Sequence, residues 1–193
     1  MLQFSCDITR NLRISLELIY PTKPSSKMTC VEVGSFEGRG SILICDHLCT
    51  NADSKLYCID PLDDEYVKGD EKMAFWNSAC VGQLSKFRNN ISFYPKIYEN
   101  RGTSDTMIPR LDNNSIDFVY IDGDHSPEQV YKDAVNMFVK MKDGGVILFD
   151  DYLWEMNGIV TKIGVDKFLE EYKGKYELLF SDFQLAIRRT FPH

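Results

Sequence analysis

Three carboxylates and one histidine follow two apolar stretches of the chain and have the chemistry of a cation site beside a base. Asp122 ends the stretch SIDFVYID, Asp150 and Asp151 end VILFDD, and His125 lies three residues beyond Asp122. Carboxylates that converge away from water need a cation or shifted pKa values. Such oxygen ligands suit Mg²⁺, Mn²⁺ or Ca²⁺, and a neutral histidine beside them can accept a hydroxyl proton. Structural alternatives stay open, since His125 could make only a structural hydrogen bond and the aspartate pair could form a solvated turn.

A glycine-rich turn and an acidic residue further along the chain indicate a nucleoside site. Gly34, Gly38 and Gly40 follow the apolar run MTCVEVG, and Asp60 ends the run KLYCID, 20 residues past Gly40. The spacing differs from the G-x-G-x-x-G of dinucleotide folds and from a P-loop. An acidic group at this place suits the two hydroxyls of a ribose. Because the turn lacks a lysine for phosphates, the pattern favours a nucleoside ligand without a pyrophosphate. Plain turn chemistry and a solvated carboxylate are the alternatives.

Segments with the two-residue period of strands alternate with segments of helical period, which predicts a mostly parallel α/β sheet. Its ligands are expected at the carboxyl ends of the strands. The stretch 61–72, rich in charge and turn formers, is a candidate lid. The predicted strands are 28–34, 55–60, 91–96, 115–122, 146–151, 176–180 and 183–189, and the predicted helices are 7–19, 40–48, 70–87, 104–111 and 158–172, with one more between Ser126 and Gly144–Gly145.

Two details refine this prediction. Ser126, Pro127 and Gln129 have the spacing of a capping box at a helix start. The last two strands form a hairpin around a Ser-Asp turn and add an antiparallel edge. We expect one domain over 1–193, with an N-terminal helix and connection in 1–27 and the core in 28–193.

The composition excludes several classes of protein. The chain has 193 residues, 44% hydrophobic and 26% charged, which is typical of a globular domain and not of a disordered one. No apolar run is long enough for a membrane span, and charges come too early for a signal peptide, so a cytoplasmic protein with no membrane partner is expected. The net charge of −7 makes nucleic acid an unlikely partner. The six cysteines are expected to be buried thiols. The N-terminal helix is expected to pack on the sheet, with a homo-oligomer contact as the alternative.

The chain resembles the class I S-adenosylmethionine-dependent methyltransferases. More narrowly, it is similar to the metal-dependent O-methyltransferases of small molecules and sugars, a group that includes the macrocin and mycinamicin O-methyltransferases and the cephalosporin-hydroxylase-like proteins. The stretches that carry the resemblance are VEVGSFEGRGS, YCIDP, IDFVYIDGDHSPEQVYKDAVNMFVKMKDGGVILFDDY and the weaker GIVTKIGVDKFLEEY.

The resemblance implies a fold, a cofactor and residue roles. The fold is a Rossmann-like, seven-stranded, mostly parallel sheet in the order 3-2-1-4-5-7-6 with helices on both faces, whose seventh strand is antiparallel. S-adenosylmethionine would be bound by the glycine turn, by Asp60 at the ribose and by a segment beside the adenine. A divalent cation would activate the acceptor hydroxyl, and His125 would be the general base. The implied catalytic residues are His125 and Asp122, and loss of either is expected to abolish transfer. The implied cofactor residues are Glu32, Gly34, Ser35, Gly38, Gly40, Ser41, Asp60, Gly102, Thr103, Ser104 and Asp122, and the implied metal ligands are Asp122, Asp150 and Asp151.

The leading hypothesis from the sequence is a metal-dependent O-methyltransferase with a small-molecule substrate. A methyltransferase acting on RNA or protein is the second, with Lys175, Arg188 and Arg189 as a local basic patch. A non-catalytic cofactor-binding or partner subunit is the third. A nicotinamide dehydrogenase is disfavoured by the glycine spacing. Tyr152, Trp154 and Met156 are candidates for the substrate pocket or a partner surface, and Gly164 stands where a helix former is usual.

Overall fold

A seven-stranded sheet forms the centre of the computed structural model, which describes residues 2, 4, 9–62, 80–156 and 158–190. A separate hairpin, β6–β7, lies outside this sheet. The strands are β1 (Thr29–Val33), β2 (Lys55–Asp60), β3 (Ile97–Arg101), β4 (Ile116–Ile121), β5 (Met141–Phe149), β6 (Glu155–Met156), β7 (Ile159–Val160), β8 (Tyr176–Ser181) and β9 (Leu185–Arg189).

The strand order is β3-β2-β1-β4-β5-β9-β8. The first five strands pair in parallel, and β9 pairs antiparallel with both β5 and β8. When the strands of the large sheet are numbered alone, this is the order 3-2-1-4-5-7-6 with an antiparallel seventh strand. The predicted Rossmann-like fold is therefore confirmed.

Helices cover both faces of the sheet, because successive side chains of its central strands point in opposite directions. In β4, Phe118 packs with α1 (Arg10–Ile19) and α2 (Arg39–Leu48) on one face of the sheet. Val119 packs with α5 (Pro127–Lys140) and α6 (Thr161–Glu171) on the other, and both residues are fully buried. Burying an apolar side chain of this size contributes about 1.5–3 kcal/mol. The helices are α1 (Arg10–Ile19), α2 (Arg39–Leu48), α3 (Gln83–Ile91), α4 (Ser104–Met107), α5 (Pro127–Lys140) and α6 (Thr161–Glu171).

The third strand is not where the sequence predicted it. The stretch 91–96 contains the last residue of α3 and two turns, in which Tyr94 N donates to Ile91 O and Ile97 N donates to Tyr94 O. The strand itself is Ile97–Arg101. It lies at the edge of the sheet and keeps one side exposed, so its sequence IYENR lacks the apolar character of a buried strand.

Two predicted helices differ in extent from the sequence prediction. The stretch 70–79 of the predicted helix 70–87, and most of the candidate lid 61–72, lie outside the described residues. In the described part the helix covers Gln83–Ile91. Helix α5 ends at Lys140, before the glycine pair, because β5 begins at the next residue.

The predicted capping box is half correct. Ser126 is the N-cap residue of α5 and Pro127 is its first residue, but the Ser126 side chain makes no capping hydrogen bond. The Gln129 side chain instead donates to Ser104 Oγ and Asp133 Oδ1, at 3.1 and 2.9 Å. This glutamine therefore connects α5 with the segment after β3.

Gly164 lies within α6, and close packing explains the glycine at this position. A Cβ atom at this position would lie 2.2 Å from the carbonyl oxygen of Pro127, the first residue of α5. A larger residue would push the two helices apart. The glycine thus allows α6 to contact the beginning of the helix that follows His125.

The apolar side of α1 packs on the sheet through Leu12 and Leu16, as expected, while Asp7 and Ile8 of the predicted helix lie outside the described residues. Within the described part of the chain, no helix is long and apolar enough to cross a membrane. The cysteines described there are free and buried, namely Cys30, Cys45, Cys49, Cys58 and Cys80.

Candidate functional site

The carboxyl ends of the central strands meet at one edge of the sheet and bring the predicted site residues together. Hydrogen bonds continue the parallel pairing one residue past the strands. Gly34 N donates to Ile59 O at 2.9 Å, Asp122 N donates to Val33 O at 2.8 Å, and Asp150 N donates to Ile121 O at 2.9 Å. The residues that follow β1, β4 and β5 therefore stand side by side.

The glycine turn is shaped by the protein's own atoms. Gly34 has φ +88°, and a Cβ atom there would lie 1.9 Å from the carbonyl oxygen of Asp122. A Cβ atom at Gly40 would lie 2.5 Å from Glu32 Oε1. Gly38 is the N-cap residue of α2, also with positive φ. The glycines at 34 and 40 thus let the turn approach the end of β4 and the Glu32 carboxyl.

The Asp60 side chain fixes the backbone of the glycine turn by hydrogen bonds. Its Oδ2 atom accepts hydrogen bonds from Ser35 N and Phe36 N, each at 2.9 Å, and its Oδ1 atom accepts from Leu62 N at 2.7 Å and Gln83 Nε2 at 3.2 Å. Burial raises the pKa of this carboxyl, and the four hydrogen bonds oppose that rise. A carboxylate has about four acceptor positions. All of them are engaged here, so a ribose contact would have to replace or share one of these bonds.

Backbone strain is concentrated at this edge of the sheet. Phe36, Leu62 and Asp151 have φ values of +45°, +48° and +50°, in the left-handed region that non-glycine residues rarely adopt. They follow β1, β2 and β5. Residues held in this way cluster at ligand sites, because only a constrained surrounding maintains them.

Glu32 lies under the turn and is almost completely buried. The Ser41 hydroxyl donates to its Oε2 atom, and Cys58 Sγ lies 3.5 Å from the same oxygen. Burial raises the pKa of Glu32 to about 7, and the bond from Ser41 opposes the rise. This carboxyl therefore changes charge near neutral pH.

Ser35 has an unusual environment. It is 3% exposed, and its hydroxyl makes no hydrogen bond of normal geometry with the described residues, although it lies close enough to Glu32 and Cys58 to lower the pKa of both. Ser35 lines a small cavity together with Glu32, Tyr120 and Asp122. A buried hydroxyl without a partner is costly, and a polar group of a ligand would satisfy it.

The segment after β3 lies against the same edge. Gly102 N donates to Asp60 O at 3.0 Å, and Thr103 is the N-cap residue of α4. The Ser104 hydroxyl accepts the bond from Gln129 described above. The implied adenine segment is therefore connected to Asp60 and to α5.

Asp122, His125 and Asp151 form one cluster. One ligand atom from each lies within 4.8 Å of the other two, and all three side chains are partly buried. His125 Nε2 is 2.8 Å from Asp151 Oδ2, and Nδ1 is 2.8 Å from Gly123 O. Both of these atoms can accept a hydrogen bond, and which ring nitrogen donates depends on the tautomer and charge of the imidazole. Burial lowers the pKa of His125, but the hydrogen bond and charge of Asp151 outweigh it, and the net shift is upward.

Asp150 stands beside this cluster rather than in it. Its Oδ1 atom accepts a hydrogen bond from Gln184 Nε2 at 2.5 Å, and its Oδ2 atom accepts from the Tyr120 hydroxyl at 2.7 Å. Burial raises the pKa of Asp122 well above its usual range, and the charges of Asp150 and Asp151 raise it further. Burial also raises the pKa of Asp150. Such a concentration of carboxyl groups favours a proton or a cation among them.

Sequence reasoning missed Tyr120, Gln184 and Ser15, which support these carboxylates. The one feature of the sequence that could have indicated these residues is a polar side chain within a predicted strand or helix that packs in the core. Trp154 was a candidate, and its ring contacts that of His125 edge to face with centroids 4.9 Å apart. Tyr152 is buried in the core instead, where its hydroxyl donates to Asp166 Oδ1.

The sequence matches a protein family and a viral relative over most of its length. Residues 31–152 match the sequence model of a family described as a methyltransferase domain. Uncharacterized protein R132 of Acanthamoeba polyphaga mimivirus is 34% identical over 140 residues, which make up 71% of this chain. The chain spans 57% of the length of that relative.

Solved structures share the fold over almost the whole chain. The O-methyltransferase NovP is 23% identical with a TM-score of 0.66, and the match covers 94% of this chain and 78% of NovP. A candidate O-methyltransferase from Klebsiella pneumoniae is 14% identical with a TM-score of 0.68, covering 97% and 83% of the two chains. A candidate rRNA methylase from Clostridium thermocellum is 14% identical with a TM-score of 0.66, covering 98% and 99%. At these identities the similarity concerns the fold.

Proposed function

Because the chain belongs to this methyltransferase-domain family, we propose that it transfers the methyl group of S-adenosylmethionine to a hydroxyl of a small molecule or sugar, assisted by a divalent cation. The observation that carries the proposal is the Asp122–His125–Asp151 cluster directly beside the glycine turn. A group that removes a proton and groups that hold a cation thus lie next to the turn expected to bind the methyl donor.

The residues present fit the cofactor. The Ser35 hydroxyl, which makes no hydrogen bond of normal geometry with the described residues, offers one to a polar group in the cavity that it lines with Glu32 and Asp122. Asp60 fixes the backbone of the same turn through Ser35 N and Phe36 N. We propose that this turn binds the methionine and ribose portions and that Gly102, Thr103 and Ser104 lie beside the adenine.

The carboxylates fit a divalent cation. Asp122 and Asp151 supply oxygen ligands, and the Asp150 carboxyl, which accepts hydrogen bonds from Gln184, Tyr120 and the Asp151 backbone, lies beside them. Burial and, after it, the charges of Asp150 and Asp151 raise the pKa of Asp122, and a bound cation would favour its ionised form. A bound divalent cation supplies a lower pKa for an acceptor hydroxyl.

His125 is proposed as the general base. The Gly123 carbonyl accepts a hydrogen bond from Nδ1, which leaves Nε2 as the atom that receives a proton once it faces the acceptor instead of Asp151. The charge of Asp151 then stabilises the protonated ring. Contact with Trp154 restricts the rotation of the imidazole. Orientation of this kind matters because the sulfonium is already an activated methyl donor.

Calorimetric titration of the full chain tests the proposal. S-adenosylmethionine and its demethylated product should both bind, and methyl transfer to a panel of sugar and phenol hydroxyls should stop with EDTA and return with Mg²⁺ or Mn²⁺. If neither nucleoside binds, the proposed function is wrong. Full methyl-transfer activity after exhaustive chelation would show that the reaction does not need a cation, and that part of the proposal would be wrong.

Methylation of RNA or protein is the second candidate, favoured by the structural similarity to the candidate rRNA methylase. The predicted basic patch does not support RNA. Arg188 pairs with Glu177, Arg189 donates to Phe138 O, and Lys175 lies over the Tyr172 ring. Filter binding to RNA at several salt concentrations separates this candidate from the first. A single turnover with labelled methyl donor separates either enzyme from a non-catalytic subunit.

A further inference from the structure

A line of buried hydrogen bonds connects helix α1 with the carboxylates. Ser15 Oγ donates to Gln184 Oε1 at 2.5 Å, and Gln184 Nε2 donates to Asp150 Oδ1 at 2.5 Å. Ser15 is 4% exposed and Gln184 is 3% exposed. The proposed reaction does not use either residue. Polar groups at this depth persist when their hydrogen bonds serve a purpose that apolar packing would not.

The orientation of the Gln184 amide follows from its neighbours. The Asp150 carboxylate can only accept hydrogen bonds, so the NH₂ group must face it. The amide oxygen is then left for Ser15, whose hydroxyl donates to it. Ser15 thereby prevents a 180° flip of the Gln184 amide. The amide in turn fixes the rotation of the Asp150 carboxylate about its side-chain bond.

The consequence reaches Asp122 through Tyr120. The Tyr120 oxygen lies 2.7 Å from Asp150 Oδ2 and 3.3 Å from Asp122 Oδ2. Tyrosine has one hydroxyl proton and can donate it to one of these oxygens at a time. The shorter distance assigns the proton to Asp150. Asp122 Oδ2 consequently stays free of a donor from this side.

We propose, on the basis of the cation-assisted function above, that Gln184 is a positioning residue that keeps Asp122 available to a cation. It does so by fixing Asp150 as the acceptor of the Tyr120 hydroxyl. Without the amide, the Asp150 carboxylate rotates to find another donor. The Tyr120 hydroxyl then turns to Asp122 Oδ2 and competes with the cation for that oxygen.

Manganese binding to the full chain, measured by the electron paramagnetic resonance of free Mn²⁺, tests the proposal without methyl transfer. Gln184→Leu should raise the Mn²⁺ dissociation constant about 10- to 100-fold, the usual effect of removing a residue that orients a ligand. Tyr120→Phe in the same chain removes the competing hydroxyl. The double variant should therefore return to within about threefold of the wild type, whereas a merely structural loss would not be rescued.

Two further variants keep the test decisive. Ser15→Ala releases the amide oxygen while leaving Gln184 in place, and it should raise the Mn²⁺ dissociation constant by about threefold even if Gln184→Leu does not fold. Ser54→Ala is the matched control. Ser54 is 2% exposed and its hydroxyl accepts a hydrogen bond from Met28 N at the opposite end of the sheet. This control should lower the melting temperature and leave Mn²⁺ affinity unchanged.

The outcomes distinguish this inference from the proposed function. Gln184→Leu with wild-type Mn²⁺ affinity, or a double variant as weak as Gln184→Leu, would overturn the inference alone. A wild-type chain that binds no Mn²⁺ would overturn it together with the cation part of the proposed function. S-adenosylmethionine affinity, measured in parallel, should stay within about threefold in Gln184→Leu, Ser15→Ala and Ser54→Ala, because none of these residues lines the cavity beside the glycine turn.

Discussion

Gly34 and Asp122 approach each other so closely that a Cβ atom on the glycine would lie 1.9 Å from the aspartate's carbonyl oxygen. Asp122 N also donates to Val33 O at 2.8 Å. The turn proposed to hold the methyl donor and the residue proposed to hold the cation are therefore in direct backbone contact. This contact makes the two halves of the site one structural unit.

The first prediction concerns that contact. Gly34→Ala should lower the free energy of unfolding by about 3 kcal/mol, because overpacking costs roughly 1–3 kcal/mol and a left-handed non-glycine residue roughly 1–2 kcal/mol. Urea unfolding measures the loss. Gly174→Ala is the matched control, since Gly174 has φ +82° and no atom of the described residues within 4 Å of a Cβ. The free energy of unfolding of Gly174→Ala should fall only by the roughly 1–2 kcal/mol of a left-handed non-glycine residue. Equal losses of unfolding free energy in the two variants would contradict the predicted clash at Gly34.

The second prediction separates the base from the binding site. His125→Asn should lower the rate of methyl transfer about 10²- to 10⁴-fold, the range for loss of general acid–base catalysis. Binding of the demethylated cofactor should change less than about threefold, because His125 belongs to the acidic cluster and not to the glycine turn. Single-turnover transfer and calorimetry give the two quantities. A variant that retains the wild-type transfer rate would refute the assignment of the base.

The third prediction concerns the group behind the glycine turn. Asp60→Asn replaces one acceptor oxygen by a donor, so it cannot accept all four hydrogen bonds. We expect about 1–3 kcal/mol lower stability and at least about tenfold weaker S-adenosylmethionine binding. Asp53→Asn neutralises an exposed carboxylate before the same strand and should change neither. If Asp60→Asn binds S-adenosylmethionine as tightly as the wild type does, this carboxyl does not shape the cofactor site.

The fourth prediction is a pH dependence of stability. Glu32 has a pKa of about 7 in the fold against an ordinary value of 4.5, so the folded chain holds the proton more tightly. This carboxyl therefore favours the fold fully below its unfolded pKa, and the advantage is lost as pH rises from about 4.5 through 7. Because one pKa unit corresponds to about 1.4 kcal/mol, the loss approaches about 3 kcal/mol.

Glu32→Gln provides the comparison for this dependence. Its free energy of unfolding relative to the wild type should rise by up to about 3 kcal/mol between pH 5 and pH 8. Urea unfolding at these two values measures the change, and taking the difference between the chains cancels other titrating groups. A difference that does not vary with pH would mean that Glu32 is ionised in the fold at both values.

The alternation of strands and helices predicted a mostly parallel sheet and the edge where the site residues meet, because parallel strands end on one side. The strand order was implied by the resemblance to class I methyltransferases. Asp60, Asp122 and Asp150 follow β2, β4 and β5 as expected. The third strand was misplaced because its edge position removes the apolar pattern. Gln184 and Tyr120 could not be predicted, since their roles arise from contacts 34 and 30 residues away along the chain.

The hydrogen bond between Ser15 and Gln184 has a consequence for how the protein is made. These residues are 169 positions apart, so the bond joins α1 to the turn between β8 and β9. Contacts of such sequence separation form late, because closing the intervening loop costs entropy that only the assembled core repays. During synthesis, the Asp150 carboxylate therefore lacks its hydrogen bond from Gln184 until this last described turn has left the ribosome. A chain cut before Gln184 would keep the glycine turn and all the proposed metal ligands in its sequence. It would lack the hydrogen bond that orients Asp150 beside them.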